Sequence, residues 1–83
     1  MIVYFKNSYG DIKEIGQTNN EFKPWAMNDI CMGTELSEEI DIIMDFLKEH
    51  NYKSFYQRFW FDPKINKYII DVGSHTEFFQ IGE

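Results

Sequence analysis

Apolar residues recur at helical spacing in one stretch near the middle of the chain. Four of them follow the spacing i, i+4, i+7, i+11, which places their side chains on one stripe of an α-helix: Leu36, Ile40, Ile43 and Leu47. Ser37 or Thr34 is suited to cap the first turn, and Asn51 is suited to end the helix in a left-handed conformation. We therefore predict an amphipathic helix over residues 36–50.

Outside this stretch, apolar residues form short β-prone runs separated by turn residues. Before the helix, Ile2–Phe5 and Ile12–Ile15 flank a turn cluster (NSYGD), which predicts a β-hairpin. Residues 17–35 are predicted to be irregular, with one short helical turn opened by Pro24. After the helix, short turn-rich connections join three further runs: Ser54–Phe61, Lys67–Val72 and Thr76–Ile81.

The last three runs can be aligned as an antiparallel meander. Pairing Phe61 with Tyr68, and Val72 with Glu77, collects the large apolar side chains on one face: Phe55, Phe59, Phe61, Tyr68, Ile70, Val72, Phe79 and Ile81. The same registers place a mixed set on the other face, with Arg58 directly opposite Asp71: Tyr56, Arg58, Trp60, Ile69, Asp71 and Phe78. The helix is predicted to cover the first of these faces.

These elements predict a single α+β domain over residues 1–83. Its antiparallel sheet has about five strands in the order ββαβββ, and one amphipathic helix packs on one face of the sheet. How the first hairpin joins the sheet is left open by the pattern.

Composition adds an expectation about the surface. A chain of 83 residues forms one modest core, yet it contains eight Phe, five Tyr and two Trp. Some of these rings should therefore be exposed, and exposed aromatic clusters tend to be interaction sites. The single cysteine, Cys31, excludes an internal disulfide and fits a reducing compartment. The first apolar run stops at Lys6, too early for a signal peptide or membrane span, so we expect a cytoplasmic protein that does not bind membranes.

Charge bears on the class of partner. Fourteen acidic residues against eight basic ones give a net charge of −6. Direct binding to nucleic acid is disfavoured, because such binding depends on basic side chains that meet phosphates. A protein partner with a basic surface is expected instead.

Candidate catalytic and metal-binding residues are few. Asp71, Ser74 and His75 have the residue types of a hydrolytic triad, but neighbouring side chains in a tight loop diverge, which favours a role in the turn. His50, His75 and Cys31 lack the short spacings of metal sites. We therefore predict no enzymatic activity, no metal and no cofactor.

Two surfaces remain as candidate binding sites. Glu38, Asp41 and Asp45 lie on the solvent side of the predicted helix, where they either imitate a row of phosphates for a basic groove or simply form a solvated face. The second sheet face is rich in residue types of binding hot spots: Tyr56, Arg58 and Trp60, with Ile69 and Phe78 beside them. This face either binds a partner, is covered by the first hairpin or residues 17–35, or forms a symmetric homodimer.

The two ends of the chain resemble a known group of proteins. Residues 3–10 (VYFKNSYG) and 71–79 (DVGSHTEFF) are similar to the start and end of small uncharacterised proteins of phages and prophages of Gram-positive bacteria, where they flank a helix of similar length. Residues 17–35 do not match that group.

This resemblance implies a phage accessory protein in the cytoplasm of the infected host. Small acidic phage proteins often inhibit a host or defence protein, including CRISPR nucleases, by occupying its surface. An inhibitor of this kind is our first hypothesis. The alternative is a structural or assembly subunit that forms a homodimer through its open sheet face.

Overall fold

Five β-strands and one α-helix account for the regular structure that the computed structural model describes, which covers residues 1–22, 36–50, 58–72 and 76–83. The elements follow the predicted order ββαβββ, which confirms the α+β class: β1 Ile2–Lys6, β2 Ile12–Gln17, α1 Ser37–Glu49, β3 Arg58–Asp62, β4 Lys67–Asp71 and β5 Phe78–Gly82. Within these ranges no helix is long and apolar enough to span a membrane.

The strands form one antiparallel sheet in the spatial order β2-β1-β5-β4-β3. The first hairpin joins the meander through β1, which pairs with β5 and places Val3 opposite Ile81 and Phe5 opposite Phe79. The hairpin therefore extends the sheet sideways and does not fold over its second face. This placement answers the question that the sequence pattern left open.

The predicted meander register is confirmed at the paired positions. Phe61 lies opposite Tyr68 and Arg58 opposite Asp71, while the same alternation continues across β4 and β5. Ladder pairing ends at Asp71 and Phe78, one position short of the predicted pair of Val72 and Glu77. Because side chains alternate between the two faces of a strand, correct registers fix which residues share a face.

The helix packs on the face of the sheet that carries the large apolar side chains. Ile43 and Leu47 are each 1% exposed, and the ring of Phe46 lies 4.7 Å from that of Phe5 and 5.5 Å from that of Phe79. The predicted core residues Phe59 and Phe61 are only partly buried, whereas five others are buried: Tyr68, Ile70, Val72, Phe79 and Ile81. Burial raises the pKa of the Tyr68 hydroxyl above its ordinary value, because an apolar surrounding disfavours the charged form.

The helix termini differ in detail from prediction. Leu36 occupies the N-cap position and is buried, so no side chain caps the first turn and the predicted cap at Ser37 is wrong. The helix ends where the backbone N–H of His50 donates to the carbonyl of Phe46 at 3.1 Å. The other predicted caps, Thr34 and Asn51, lie outside the described residues, as do the turn after Pro24, Phe55 and the first residues of the run at 54–61.

Gly16 allows the helix to approach the edge strand β2 closely. A Cβ atom at this position would lie 2.8 Å from Cγ2 of Ile42, which is shorter than a normal contact. Gly16→Ala is therefore expected to lower the free energy of unfolding by about 1–3 kcal/mol, as overpacking does. Urea unfolding of Gly16→Ala in the wild type and in an Ile42→Ala background checks this. An equal loss in both backgrounds would show that the contact is not the cause.

Candidate functional site

The sheet face away from the helix is built by alternate residues of the strands, and we call it the open face. Its described members lie on the opposite side from the core residues of the same strands and include Ile2, Tyr4, Lys6, Ile12, Glu14, Gln17, Arg58, Trp60, Asp62, Lys67, Ile69, Asp71, Phe78 and Gln80. The open face combines aromatic, aliphatic and charged side chains, whereas the core face is almost wholly apolar.

A depression of about 420 Å³, which we call the trough, crosses the open face from β2 to β3. Its apolar lining consists of Ile12, Trp60, Ile65, Ile69 and Phe78. Its polar lining consists of Lys6, Asp62, Lys67 and Gln80. The volume falls in the range of about 300–1,000 Å³ that is typical of ligand sites.

Exposed apolar area is concentrated around the trough. Among the described residues four large apolar side chains are exposed. Three of them line the trough, namely Ile12 at 55%, Trp60 at 37% and Ile65 at 43%, while Tyr9 lies apart in the first hairpin turn. The ring of Trp60 meets that of Phe78 edge-on at 6.1 Å, a favourable arrangement for two aromatic rings.

Arg58 has a structural partner on the open face. Its Nη2 lies 3.1 Å from Oδ2 of Asp71, whose side chain is fully buried while that of Arg58 is half exposed. The guanidinium also lies 5.4 Å from the ring centroid of Trp60. The charge of Arg58 is therefore used to neutralise a buried carboxylate and to support the indole, which leaves it less available to a partner.

Two lysines of the trough form no ion pair with a described residue. Lys67 lies over the ring of Tyr4 at 5.4 Å, and neither Lys67 nor Lys6 forms an ion pair within the described ranges. Asp62 is the cross-strand neighbour of Lys67, but its carboxylate accepts the backbone N–H of Lys64 at 2.9 Å in the β3–β4 turn.

Gln80 contributes an unusual polar group to the floor of the trough. The residue is 5% exposed and lines the depression. Among the described residues the buried side-chain atom without a hydrogen-bond partner is Oε1 of Glu39, so the amide of Gln80 is reached by solvent in the trough and is a candidate contact for a bound molecule.

Sequence reasoning missed Lys6, Lys67 and Gln80. The predicted registers already placed Gln80 opposite Ile69, but glutamine is not a residue type that is typical of binding hot spots. Lys6 had no signal, because the position of the first hairpin was unknown.

The predicted partner-binding residues of the sheet fall on one face. Trp60 is exposed and Phe78 is half-buried, and both form walls of the trough. Ile69 is 5% exposed, lies in the floor and offers little contact area. Tyr56 lies outside the described residues. The structure therefore brings together the predicted residues Arg58, Trp60, Ile69 and Phe78.

The acidic surface lies on the other side of the molecule. Glu38, Asp41 and Asp45 are exposed on the helix, and the sheet separates them from the trough. The helix carries five acidic residues and one lysine. Within the described ranges the one ion pair is that of Arg58 and Asp71, so none of these helix carboxylates is paired there.

Glu39 has a structural position that the sequence did not suggest. It is fully buried, and its Oε2 accepts hydrogen bonds from the Thr18 hydroxyl and from Nδ2 of Asn20. Its Oε1 accepts no hydrogen bond from a described residue. The carboxylate ties the segment after β2 to the first turn of the helix, on the side away from the trough.

The described part of the chain does not bring the candidate catalytic and metal-binding residues together in one site. Cys31, Ser74 and His75 lie outside it, and the ring of His50 stacks on Phe46 at 4.0 Å. No group of three or more His, Cys, Asp and Glu side chains suited to a metal occurs among the described residues.

Comparison with known proteins finds no relatives: no family, no curated protein and no solved structure matches the chain.

Proposed function

We propose that the protein is a protein-binding module and that the open face, centred on Trp60, is its interface. The observation that carries the proposal is the gathering of three exposed apolar side chains around one trough, Ile12, Trp60 and Ile65. Isolated exposed apolar residues are ordinary, whereas a cluster around a concave site is typical of an interaction surface. Tryptophan is also the residue type most enriched among binding hot spots.

The proposed partner is a host or defence protein, such as a CRISPR nuclease, in the cytoplasm of an infected bacterium. This part rests on the resemblance of residues 3–10 and 71–79 to phage and prophage proteins. Binding inhibits the partner by occupying a surface that it needs.

The acidic helix is a second candidate surface. Glu38, Asp41 and Asp45 are exposed and share one stripe, so they present a row of negative charge to a basic partner. This surface and the trough lie on opposite sides of the sheet, so they are able to contact different regions.

Truncation of Trp60 tests the proposed interface. Trp60→Ala is expected to weaken binding to a partner recovered from a host lysate by at least about 2 kcal/mol, or roughly 30-fold in Kd, because a central indole fills a pocket. Isothermal titration calorimetry with the purified partner measures this. Tyr9→Ala is the matched control, since Tyr9 is an aromatic residue that is 91% exposed outside the trough, and it should bind as the wild type does.

A second variant decides between the two surfaces. Reversing Glu38, Asp41 and Asp45 to lysine should leave binding nearly intact if the trough is the interface. Loss of binding in this variant, together with normal binding of Trp60→Ala, would show that the helix is the interface and the trough is not.

The alternative function, a homodimeric assembly subunit, uses the same open face. Light scattering over a wide concentration range measures the oligomeric state and so distinguishes this alternative. If the wild type is a dimer and Trp60→Ala is a monomer, the trough is the interface between two copies. A monomer at all concentrations contradicts this alternative.

A further inference from the structure

We infer that the trough binds an extended, acidic peptide segment of its partner, with an apolar side chain against Trp60 and carboxylates against Lys6 and Lys67. The inference rests on the proposed function and assigns the chemistry of the bound segment. It differs from the expectation of a basic partner, which follows from the charge of the whole chain.

The local charge of the trough differs in sign from that of the chain. The chain has a net charge of −6, yet the trough is lined by two lysines and one aspartate. Asp62 accepts a hydrogen bond from the turn and keeps its charge, so the lining has one more positive than negative group. This local excess of positive charge favours carboxylates in the bound segment.

The two lysines lie at opposite ends of a diagonal across the trough. Lys6 of β1 pairs with Phe78 at the start of β5, whereas Lys67 of β4 lies one position beyond the pair of Tyr68 and Ile81, level with the end of β5. The two positions are therefore about 10 Å apart across the strands and about 14 Å apart along them, or roughly 17 Å in all. An extended segment of about five residues spans this distance. The side chains of an extended chain alternate in direction, so apolar side chains can face the trough while acidic ones lie toward the rims.

The amide of Gln80 adds a polar group to the floor of the trough. A glutamine amide offers both donors and an acceptor, and this one is not among the buried polar atoms that lack a partner, so solvent in the trough reaches it. A purely apolar ligand would cover it and leave it unsatisfied, which is costly. A peptide group satisfies it in both directions: the amide N–H donates to a carbonyl and the amide oxygen accepts an N–H.

A nucleotide shares some of this chemistry, because lysines bind phosphate and aromatic rings stack on bases. The helix carboxylates and the overall charge oppose it, since a polyanion is repelled over distances comparable to the Debye length. A short peptide with few carboxylates is repelled much less. A peptide is therefore the favoured occupant.

The probes are two fluorescein-labelled, capped peptides of equal length with leucine and phenylalanine at alternate positions. Glutamate fills the other positions in the first peptide and lysine fills them in the second. Fluorescence anisotropy at low salt should give a Kd for the acidic peptide that is at least about tenfold lower than that for the basic peptide.

Charge reversal at the lysines tests the assignment. The double variant Lys6→Glu and Lys67→Glu should reverse the preference between the two peptides. The matched control is Lys13→Glu with Lys48→Glu, which changes the net charge equally at exposed lysines outside the trough, and it should keep the preference for the acidic peptide. Gln80→Leu should weaken binding of both peptides without changing their ratio.

Each other outcome overturns the inference in a recognisable way. Tighter binding of the basic peptide, still dependent on Trp60, overturns the acidic segment but keeps the proposed function. Binding of a labelled thymidine oligonucleotide in preference to both peptides replaces the peptide with nucleic acid. If neither peptide binds while partner capture still depends on Trp60, the segment chemistry is wrong and the interface stands. If Trp60→Ala changes neither peptide binding nor partner capture, both proposals fail.

Discussion

Ile70→Ala is expected to lower the free energy of unfolding by about 3–4 kcal/mol, near the middle of the range measured for large-to-small changes in protein cores. Ile70 is fully buried in β4, where it lies opposite both Phe59 and Phe79. Alanine loses buried methyl and methylene groups and leaves a cavity that the flanking strands cannot close. Domains of this size are stable by about 5–15 kcal/mol, so the change removes a large share of the total.

Urea or thermal unfolding monitored by circular dichroism measures this loss. Ile65→Ala is the matched control, because it deletes the same atoms from a residue that is 43% exposed in the β3–β4 turn, and it should cost less than about 1 kcal/mol. Similar losses in the two variants would show that β4 does not lie at the centre of the core.

Arg58→Ala is expected to lower the free energy of unfolding by about 2–3 kcal/mol, because it removes the cation beside the fully buried carboxylate of Asp71. Loss of one partner from a buried ion pair costs about 3–5 kcal/mol. The guanidinium of Arg58 is half exposed, and solvent screens its charge, so we expect a cost at or below the lower end of that range. Lys67→Ala is the matched control. It removes a cation from the same face that has no ion pair among the described residues, and its effect on stability should be small.

The same variant tests the role of Arg58 in binding. If Arg58→Ala reduces partner binding only in proportion to the folded fraction, its role is to hold Asp71 and Trp60. A loss of binding with unchanged stability would contradict the structural role. It would support the interpretation of Arg58 as a hot spot, which came from residue type alone.

The sequence was sufficient to predict the class, the order and most of the pairing. The helix was visible because Ile43 and Leu47 repeat at helical spacing, and both are buried as expected. The meander register was predictable because the two short connections favour an alignment that puts Ile70 and Phe79 on a common apolar face, and that alignment is observed. These are local or nearest-neighbour properties, and periodicity carries them directly.

The candidate site was only partly predictable for the same reason. Trp60, Ile69 and Phe78 share a face because strand alternation requires it once the register is known. The phage resemblance and the inhibitory function rest on sequence alone and remain proposals. Tyr56 lies outside the described residues, so its part in the site stays a prediction.

The tertiary structure decided how the trough is composed. The docking of β1 against β5 brings Lys6 to the same depression as Lys67, although the two residues are far apart in the chain. It also places Gln80 in the floor of that depression. The predicted register already set Arg58 opposite Asp71, and the assembled sheet adds the complete burial of the aspartate that Arg58 neutralises. Periodicity reports which way a side chain points within its own element. Only the assembled sheet determines which distant charges become neighbours and which of them are already neutralised.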